Sequence, residues 1–457
     1  MAALSVIAVI DVGKTNKKLL LFDAHYRVVE ERTARLTETV DEDGDPCENI
    51  DSLRGAVFES LRSAKGNSAW EIRAINFSAY GASFVYINDR GEPVAPLYNY
   101  LKPFPEDLRH KFYERNGGEE TFSASAASPV LGSLNSGMQF YRLRHERPQI
   151  FQQVRYGLHL PQYLSYLLTG RPVSDITSIG CHTNLWDFNR HQYHDWVERE
   201  GIAAKLAPVV PYDQVIAVNW EGCSCVAGPG LHDSSAALIP YLVSFQEPFV
   251  LISSGTWCIS LNPFNHSPLT VEELKRDCLC YLDFKGNPVK ASRLFSGYIH
   301  DEQVNRIADY FHADPIRYRN IGYDRSICDG LRKRLPDDWN GNTAFADRDL
   351  AQFTTDVEAY HQLIRDLVVQ QYVSTNLVLN DQSVKRIFVD GGFSKNEIYM
   401  NLLAQAFAGR EVYATSIAQA SSLGAALAIH HAWNQNPVPS EIIELKYYSS
   451  VPFNSQN

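Results

Sequence analysis

The chain has 457 residues, which is too long for one ordinary domain and favours two or three compact units. An apolar fraction of 45% and a charged fraction of 21% are typical of a soluble globular protein. The net charge is -11 and no long basic run occurs, which argues against nucleic acid as the main partner. A polyanionic ligand therefore has to be bound by local groups such as backbone amides, a few lysines or a metal ion.

The N-terminal segment predicts a buried strand rather than a secretory signal. Residues 1–10 are apolar, lack a basic region and lead directly to Asp11. No stretch is long and apolar enough to span a bilayer. We therefore expect a cytoplasmic protein with no membrane partner.

Eight cysteines occur, and four of them form two C-x-C pairs, Cys223/Cys225 and Cys278/Cys280. A metal site at either pair is conceivable. The spacing is not C-x-x-C, however, and no histidine pair follows. Reduced cytosolic thiols are the better interpretation.

Strands alternate with helices along the chain, which predicts an α/β fold. Apolar, β-branched runs predict strands at 5–10, 17–22, 72–78, 84–88, 248–252, 257–261 and 385–389. Helical spacing predicts helices at 150–168, 234–241, 360–379, 396–408 and 421–430.

A strand, a small-residue turn and a second strand occur near residue 11 and again near residue 254. This weak internal repeat predicts two similar domains, each opening on a hairpin whose tip can face a common cleft. The helix at 234–241 and the strand at 248–252 flank the boundary. We place the domains at 1–244 and 245–457.

The first motif is the turn that contains Asp11, Gly13, Lys14, Thr15 and Asn16. A glycine turn leaves backbone N–H groups free to hold phosphate oxygens, and the side chains after the glycine add donors. Asp11 at the strand end is a carboxylate placed to hold Mg²⁺. An ordinary hairpin turn with solvated charges is the alternative, and this motif alone does not decide between them.

Two further small-residue turns occur in the second half of the chain. The turn at 253–256 has the composition of a second phosphate cradle, although Ser-Gly turns are also common structural turns. The segment 390–396 follows a strand and precedes a helix. Its paired glycines let a ligand approach the backbone, and a helix N-terminus favours an anion. A G-x-G-x-x-G after the first strand is absent, which disfavours a dinucleotide enzyme.

Asp233 stands where the helix at 234–241 begins. This position predicts an N-cap, and a carboxylate there can also accept a proton from a substrate hydroxyl. Both roles can hold at once. A histidine such as His232 beside it serves packing more often than chemistry.

In this order the segments resemble the FGGY carbohydrate kinases, which belong to the actin/hexokinase/Hsp70 superfamily. The resemblance covers about residues 5–432 and implies two ribonuclease-H-like domains that flank an ATP cleft. Its most specific parts are Ile10-Asp11-Val-Gly13, Gly230-Leu-His-Asp-Ser-Ser-Ala-Ala237, Ser253-Ser-Gly-Thr-Trp257 and Gly391-Gly-Phe-Ser-Lys-Asn396.

Within this family the rhamnulokinase-like branch is the most similar. The segment 80–84 is similar to its W-G-V-D-F, and 232–236 is similar to its H-D-T-A-S. This implies a 6-deoxyketohexose substrate, L-rhamnulose or L-fuculose. Three features depart from the pattern: Lys14 replaces the usual Thr or Ser, Ser83 replaces an acidic residue, and 98–102 lacks the usual Asp and Arg.

The resemblance implies Mg-ATP as the donor and a small sugar as the acceptor, with Asp11 at Mg²⁺ and Asp233 as the general base. The nucleotide-binding residues it implies are Gly13, Lys14, Thr15, Asn16, Ser254, Gly255, Thr256, Gly391, Gly392, Phe393, Ser394 and Asn396. The sugar-binding residues it implies are Tyr80, Gly81, Ala82, Ser83, Phe84, Asn99, His232 and Asp233. Relatives are commonly homodimers.

Three other functions stay open at this point: a kinase for another ketose or polyol such as xylulose or ribulose, a sugar sensor without catalysis, and an ATPase acting on proteins. The presence of both Asp11 and Asp233 argues against the sensor. A protein ATPase needs a peptide-binding or filament-forming part, and none is visible beyond residue 432.

Overall fold

A computed structural model describes residues 3–14, 17–34, 36–335, 343–379, 383–417 and 419–449. The strands, in chain order, are β1 Leu4–Val12, β2 Lys17–Asp23, β3 Val28–Ala34, β4 Glu38–Val40, β5 Pro46–Glu48, β6 Trp70–Ala79, β7 Phe84–Ile87, β8 Tyr156–His159, β9 Ser174–Asp175, β10 Trp186–Asp187, β11 Gln192–Tyr193, β12 Val209–Val210, β13 Ile216–Trp220, β14 Cys223–Ala227, β15 Leu231–His232, β16 Phe249–Ser254, β17 Cys258–Asn262, β18 Cys278–Leu282, β19 Pro288–Leu294, β20 Arg386–Gly391, β21 Glu411–Ser416 and β22 Glu444–Tyr448.

The helices, in chain order, are α1 Ile50–Lys65, α2 Glu106–Arg115, α3 Glu119–Ser125, α4 Ser136–Glu146, α5 Pro148–Gln153, α6 Leu160–Thr169, α7 Ile176–Ile179, α8 Asp195–Arg199, α9 Asp233–Ser244, α10 Val271–Lys275, α11 Ser296–Phe311, α12 Arg325–Arg334, α13 Asp356–Asn376, α14 Glu397–Ala406, α15 Ala420–Ala428 and α16 His430–Trp433. Across the described ranges, no helix is long and apolar enough to cross a membrane.

β1 shows why these apolar runs become central strands. Val6, Ala8 and Ile10 belong to one hydrophobic cluster, while Ile7 and Val9 belong to another. Successive side chains of a strand point to opposite faces, so a strand that is apolar throughout needs a core on both sides. The predicted strand is therefore buried between two layers.

The two large sheets repeat one strand order. In the first, β3, β2 and β1 are antiparallel neighbours, and β6 and β14 continue the sheet parallel to β1. In the second, β19, β17 and β16 are the antiparallel set, followed by the parallel strands β20 and β21. The α/β fold and the repeated hairpin predicted from the sequence are confirmed.

Parallel pairing brings the ends of distant strands to one edge of the first sheet. Val12 of β1 and His232 of β15 both pair with Ala79 of β6. The residues that follow these strands, including Tyr80 and Asp233, therefore emerge together at the carboxyl edge. In the second sheet, β16 and β20 end side by side in the same way.

Helices α9 and α15 pack against each other between the two sheets. A Cβ atom on Gly424 would lie 1.8 Å from the carbonyl oxygen of Ala236, so only glycine permits this approach. Asn76 Nδ2 of β6 donates to the Ala425 carbonyl at 2.7 Å, which fixes α15 on the first sheet. The predicted domain boundary at residue 244 separates the two sheets. The C-terminal helix α15, however, packs on the first sheet.

The single helix predicted at 150–168 is wrong. The chain forms α5, then β8 paired with β7, then α6. Val154 is extended after α5, and Pro161 stands in the first turn of α6, where its missing N–H costs nothing. The predicted end is confirmed, since Gly170 caps α6 in the left-handed region with φ 62°.

Candidate active site

Asp11 lies near the end of β1 and faces the start of α15. Its Oδ2 accepts hydrogen bonds of 2.6 Å from the hydroxyls of both Ser421 and Ser422. Burial raises the pKa of Asp11, the two hydroxyls oppose this, and the nearby charge of Asp233 raises it further. The structure therefore brings two carboxylates from distant parts of the chain into one charged cleft.

Asp233 is the first residue of α9, and the N-cap is His232, one position earlier than predicted. Its Oδ1 accepts from the backbone N–H of Ser234 at 2.7 Å. Burial raises the pKa of Asp233 in spite of this bond, although 32% of its side-chain surface is still accessible. An accessible carboxylate with a raised pKa suits proton transfer.

His232 connects Asp233 to a buried cluster. Its Nε2 lies 3.2 Å from Asp233 Oδ1 and 3.1 Å from Cys181 Sγ. Burial lowers the pKa of His232 to about 3, so the ring is neutral at pH 7. Gly81 lies against this ring, because a Cβ there would lie 2.5 Å from His232 Cδ2. The ring therefore has both a packing role and a polar contact with Asp233.

In the segment 80–84, Tyr80 lies beside the cleft, Gly81 packs against His232 as described above, and the last three residues are held inside the protein. Tyr80 packs edge-on against Tyr100, with 5.6 Å between ring centroids. Ser83 is buried, and its hydroxyl donates to the carbonyl of Tyr98. Phe84 is fully buried and its ring packs at a tilt against that of His159, while the Ala82 carbonyl accepts from Gln139. The predicted sugar contacts of Ala82, Ser83 and Phe84 side chains therefore lack a cleft-facing group.

The side chain of Asn99, predicted to bind sugar, also points away from the cleft. Its Nδ2 donates to the Pro46 carbonyl at 3.2 Å, and it lines a separate cavity with Lys102 and Arg142. Tyr100, the next residue, faces the cleft instead, and the charge of Asp233 helps to raise its pKa after the larger effect of burial. Tyr100 is thus better placed than Asn99 to contact a ligand in the cleft.

Lys14 follows the first hairpin strand and points to the rings of Tyr80 and Tyr100. Its Nζ lies 3.7 Å from Glu48 Oε1, 5.5 Å from the Tyr100 ring centroid and 6.0 Å from that of Tyr80. Lys17 Nζ donates to the same Glu48 oxygen at 3.1 Å and to the Lys14 carbonyl at 2.8 Å. Thr15 and Asn16, predicted to bind phosphate, lie outside the described residues.

Replacing Glu48 with glutamine should destabilise this corner of the cleft. Glu48 is 4% exposed and neutralises Lys17, whose side chain is 11% exposed. Its loss should lower the free energy of unfolding by about 2 kcal/mol and lower Tm in a thermal scan. Glu71→Gln is the matched control, because its ion pair with Arg73 is half exposed and contributes little. Equal Tm shifts in the two variants would contradict this role for Glu48.

The hairpin of the second sheet presents an exposed turn on a buried anchor. Ser254 is 4% exposed, and its hydroxyl donates to the Asp390 carbonyl and accepts from the Phe393 N–H. Gly255 and Thr256 are exposed, although the Gly255 amide is engaged with the Trp257 carbonyl. Ser254 therefore ties two loops together, and the turn beyond it is the surface open to a ligand.

The loop after β20 likewise combines exposed glycines with side chains that anchor them. Gly391 and Gly392 are exposed, and Gly391 has φ 80°. Phe393 is buried against Tyr399, and the Ser394 hydroxyl donates to the Gly391 carbonyl. Asn396 caps α14 through the Tyr399 N–H and donates to the Tyr360 hydroxyl. The glycines offer the approach surface, and the three side chains hold them in place.

Several residues of the site carry no sequence signal that we used. Ser421 and Ser422 orient Asp11, and Glu48 orients the lysines. Cys181 and His182 lie beside His232 in the cleft. The adjacent pair of Cys and His was a possible signal, because both types bind metals, but its partner is far away in sequence.

Family models match both halves of the chain. The model of the FGGY family of carbohydrate kinases, N-terminal domain, matches residues 6–219, and that of the carbohydrate kinase FGGY, C-terminal domain, matches residues 246–437. The chain belongs to the FGGY family. It is 22% identical over 237 residues to a rhamnulokinase of Oceanobacillus iheyensis, an alignment of 49% of this chain and 48% of that protein. The chain spans about half the length of the curated relatives it matches.

Solved structures share the fold over nearly the whole FGGY chain. A carbohydrate kinase from Novosphingobium aromaticivorans has a TM-score of 0.78 at 23% identity, covering 97% of this chain and 96% of that one. A ligand-bound xylulose kinase from Lactobacillus acidophilus has a TM-score of 0.77 at 16% identity, covering 98% and 94%. The predicted two-domain α/β fold of the actin/hexokinase/Hsp70 type is confirmed.

Proposed function

We propose that this protein transfers the γ-phosphoryl group of Mg-ATP to a hydroxyl of a small ketose. The observation that carries the proposal is the closeness of Asp11 and Asp233, whose charges interact at the carboxyl edge of the first sheet. One carboxylate suits a metal–phosphate group and the other suits a proton.

Asp233 is the proposed general base. It would accept the proton of the attacking sugar hydroxyl on its accessible carboxylate as the new O–P bond forms. The Ser234 N–H and the position at the start of α9 hold the carboxylate in place. Tyr80, Tyr100 and Lys14 would line the sugar side, with aromatic faces for the ring and an ammonium for a hydroxyl.

The residues around Asp11 fit a hydrated Mg²⁺. A carboxylate held by two serine hydroxyls is a hard oxygen donor, the type this ion prefers. When bound, Mg²⁺ would neutralise phosphate charge during transfer. Gly391 is exposed and has no side chain, so a nucleotide could approach its backbone closely. The exposed turn at Gly255 and Thr256 would face the phosphates.

A 6-deoxyketohexose, L-rhamnulose or L-fuculose, is the proposed acceptor. Support comes from the similarity to curated proteins named rhamnulokinase. A structural neighbour named xylulose kinase keeps another ketose or a polyol as the second candidate. A sugar sensor without catalysis is disfavoured by the pair of carboxylates. A homodimer and a cytoplasmic location stay predictions from the sequence.

A coupled ADP-release assay with Mg-ATP tests this proposal. The panel should contain L-rhamnulose, L-fuculose, xylulose, ribulose and glycerol. We expect strong sugar-dependent turnover, with kcat/KM highest for one of the two 6-deoxyketohexoses. Highest kcat/KM for xylulose or ribulose would correct the substrate only. Turnover that no sugar of a broad panel stimulates would overturn the kinase proposal.

A further inference from the structure

Beside the proposed base, three metal-ligating side chains meet. The ligand atoms of Cys181, His182 and His232 all lie within 4.8 Å of one another. Asp233 Oδ1 lies 3.2 Å from His232 Nε2, and Cys181 Sγ lies 3.1 Å from the same nitrogen. Ligands of tetrahedral zinc lie about 3.3 to 3.6 Å apart, given bond lengths near 2.0 to 2.3 Å. The first three side chains therefore lie close to the spacing of zinc ligands, and Asp233, which already contacts His232, would complete the set by turning toward Cys181 and His182.

We propose that Cys181, His182, His232 and Asp233 form a tetrahedral site for Zn²⁺, and that the bound ion excludes the sugar. The ligand set of one thiolate, two imidazoles and one carboxylate is typical of zinc. Mg²⁺ is not expected here, because it prefers oxygen ligands.

The surroundings of both histidines match those of metal ligands. His182 Nδ1 lies 3.2 Å from the Leu134 carbonyl oxygen, which can only accept its N–H. His232 Nδ1 lies 3.5 Å from Ser235 Oγ, and that hydroxyl spends its own hydrogen on the Leu282 carbonyl at 3.0 Å. An N–H held on Nδ1 leaves the Nε2 lone pair for the ion, the arrangement that most metal-ligating histidines show.

The charges of the site also balance. Binding releases the Cys181 thiol proton to water, so one thiolate and one carboxylate neutralise a divalent ion in a buried place. Arg293 is within electrostatic range of His182, but its guanidinium is paired with Asp277. The ion can enter from the cleft, because the Asp233 side chain is 32% exposed and His182 is half-buried.

The inhibitory part of this proposal rests on Asp233 being the base of the kinase. An ion on Asp233 Oδ1 occupies the atom that would accept the proton. It also stands where the sugar hydroxyl would approach. We therefore expect Zn²⁺ to inhibit in competition with the sugar and not with ATP.

Cobalt titration of the whole chain tests the site without any need for turnover. We expect one Co²⁺ per chain, with the intense visible bands of tetrahedral cobalt and a thiolate-to-cobalt band in the near ultraviolet, all displaced by Zn²⁺. Cys181→Ser should remove the thiolate band and weaken binding by at least about 100-fold, since even an outer partner costs 10- to 100-fold. Cys223→Ser replaces a half-buried cysteine of a C-x-C pair and should change neither the thiolate band nor the affinity for Co²⁺. A thiolate band that survives in Cys181→Ser, or that is lost in Cys223→Ser, would overturn the site.

Two further measurements separate the parts of the proposal. Buffered Zn²⁺ should raise the Tm of the wild-type chain but not that of Cys181→Ser. The unfolding transition of Cys181→Ser in the same scan shows that the variant is folded. In the kinase assay, Zn²⁺ should raise the KM for sugar in the wild type and not in Cys181→Ser, each compared with its own zinc-free value. A cobalt spectrum in a protein with no kinase activity would reject the proposed function and keep the metal site. Full kinase activity with zinc bound would reject the ligation by Asp233.

Discussion

Asp233→Asn should lower kcat by about 100-fold or more, which is the contribution of a general base. The amide keeps the shape of the carboxylate and can still accept from the Ser234 N–H, so α9 should begin as before. It cannot take the proton of the sugar hydroxyl. We expect unchanged Tm and unchanged nucleotide affinity, measured by thermal unfolding and by calorimetric titration of ATP.

The matched control is Asp213→Asn, which removes an exposed carboxylate from the loop before β13. This variant should keep wild-type kcat. If Asp233→Asn kept more than a tenth of the turnover, Asp233 would act only in folding or charge balance. A fall in Tm together with kcat would point to the same conclusion.

The pH profile gives an independent check on Asp233. Burial raises its pKa, and a base works only when it is deprotonated. Activity should therefore be lost as pH falls through this raised pKa, at a higher pH than the value of about 4 of an ordinary aspartate. The acid limb of kcat/KM should be absent from the residual activity of Asp233→Asn. A limb at the ordinary aspartate value would contradict the effect of burial.

Local patterns were enough to predict the framework of the fold. The apolar runs at β1 and β16 and the turns after them predicted both hairpins, because strand periodicity and turn chemistry depend on neighbouring residues. The helix at 150–168 was wrong for a related reason. Its apolar spacing suits a helix, but β8 gains its hydrogen bonds from β7, a strand that is distant in sequence.

The site was predictable only where a motif carries its own chemistry. Asp11, Asp233 and Gly391 stand in motifs at the carboxyl ends of β1, β15 and β20, and the charges of the first two interact in the folded chain. Glu48 and Ser421 have no local signal, because each acts on a partner that only the folded chain brings near. Conversely, Ser83 and Asn99 lie in a matching segment but use their side chains inside the protein. A segment match thus locates a wall of the cleft and does not say which side chains face it.

Gly391→Ala should damage both stability and ATP use. Gly391 has φ 80°, and a Cβ there would lie 1.9 Å from the Ser254 carbonyl oxygen. That oxygen already accepts from the Gly392 N–H at 2.8 Å, so it cannot move away without breaking the joint between β16 and β20. We expect a loss of about 3 kcal/mol or more in the free energy of unfolding, seen as a lower Tm. The KM for ATP should rise in the protein that remains folded.

Two other glycines separate the causes of this effect. Gly44 has φ 85° with open space around it, so Gly44→Ala measures the left-handed strain alone, about 1 kcal/mol. Gly392 has an ordinary φ of -66° and its added Cβ would lie 3.9 Å from the Ser254 oxygen, so Gly392→Ala should keep the wild-type Tm. A Tm of Gly391→Ala equal to that of Gly44→Ala would mean that the loop yields at little cost. In that case the contact between Ser254 and Gly391 would not be what fixes the position of the proposed nucleotide-binding glycines.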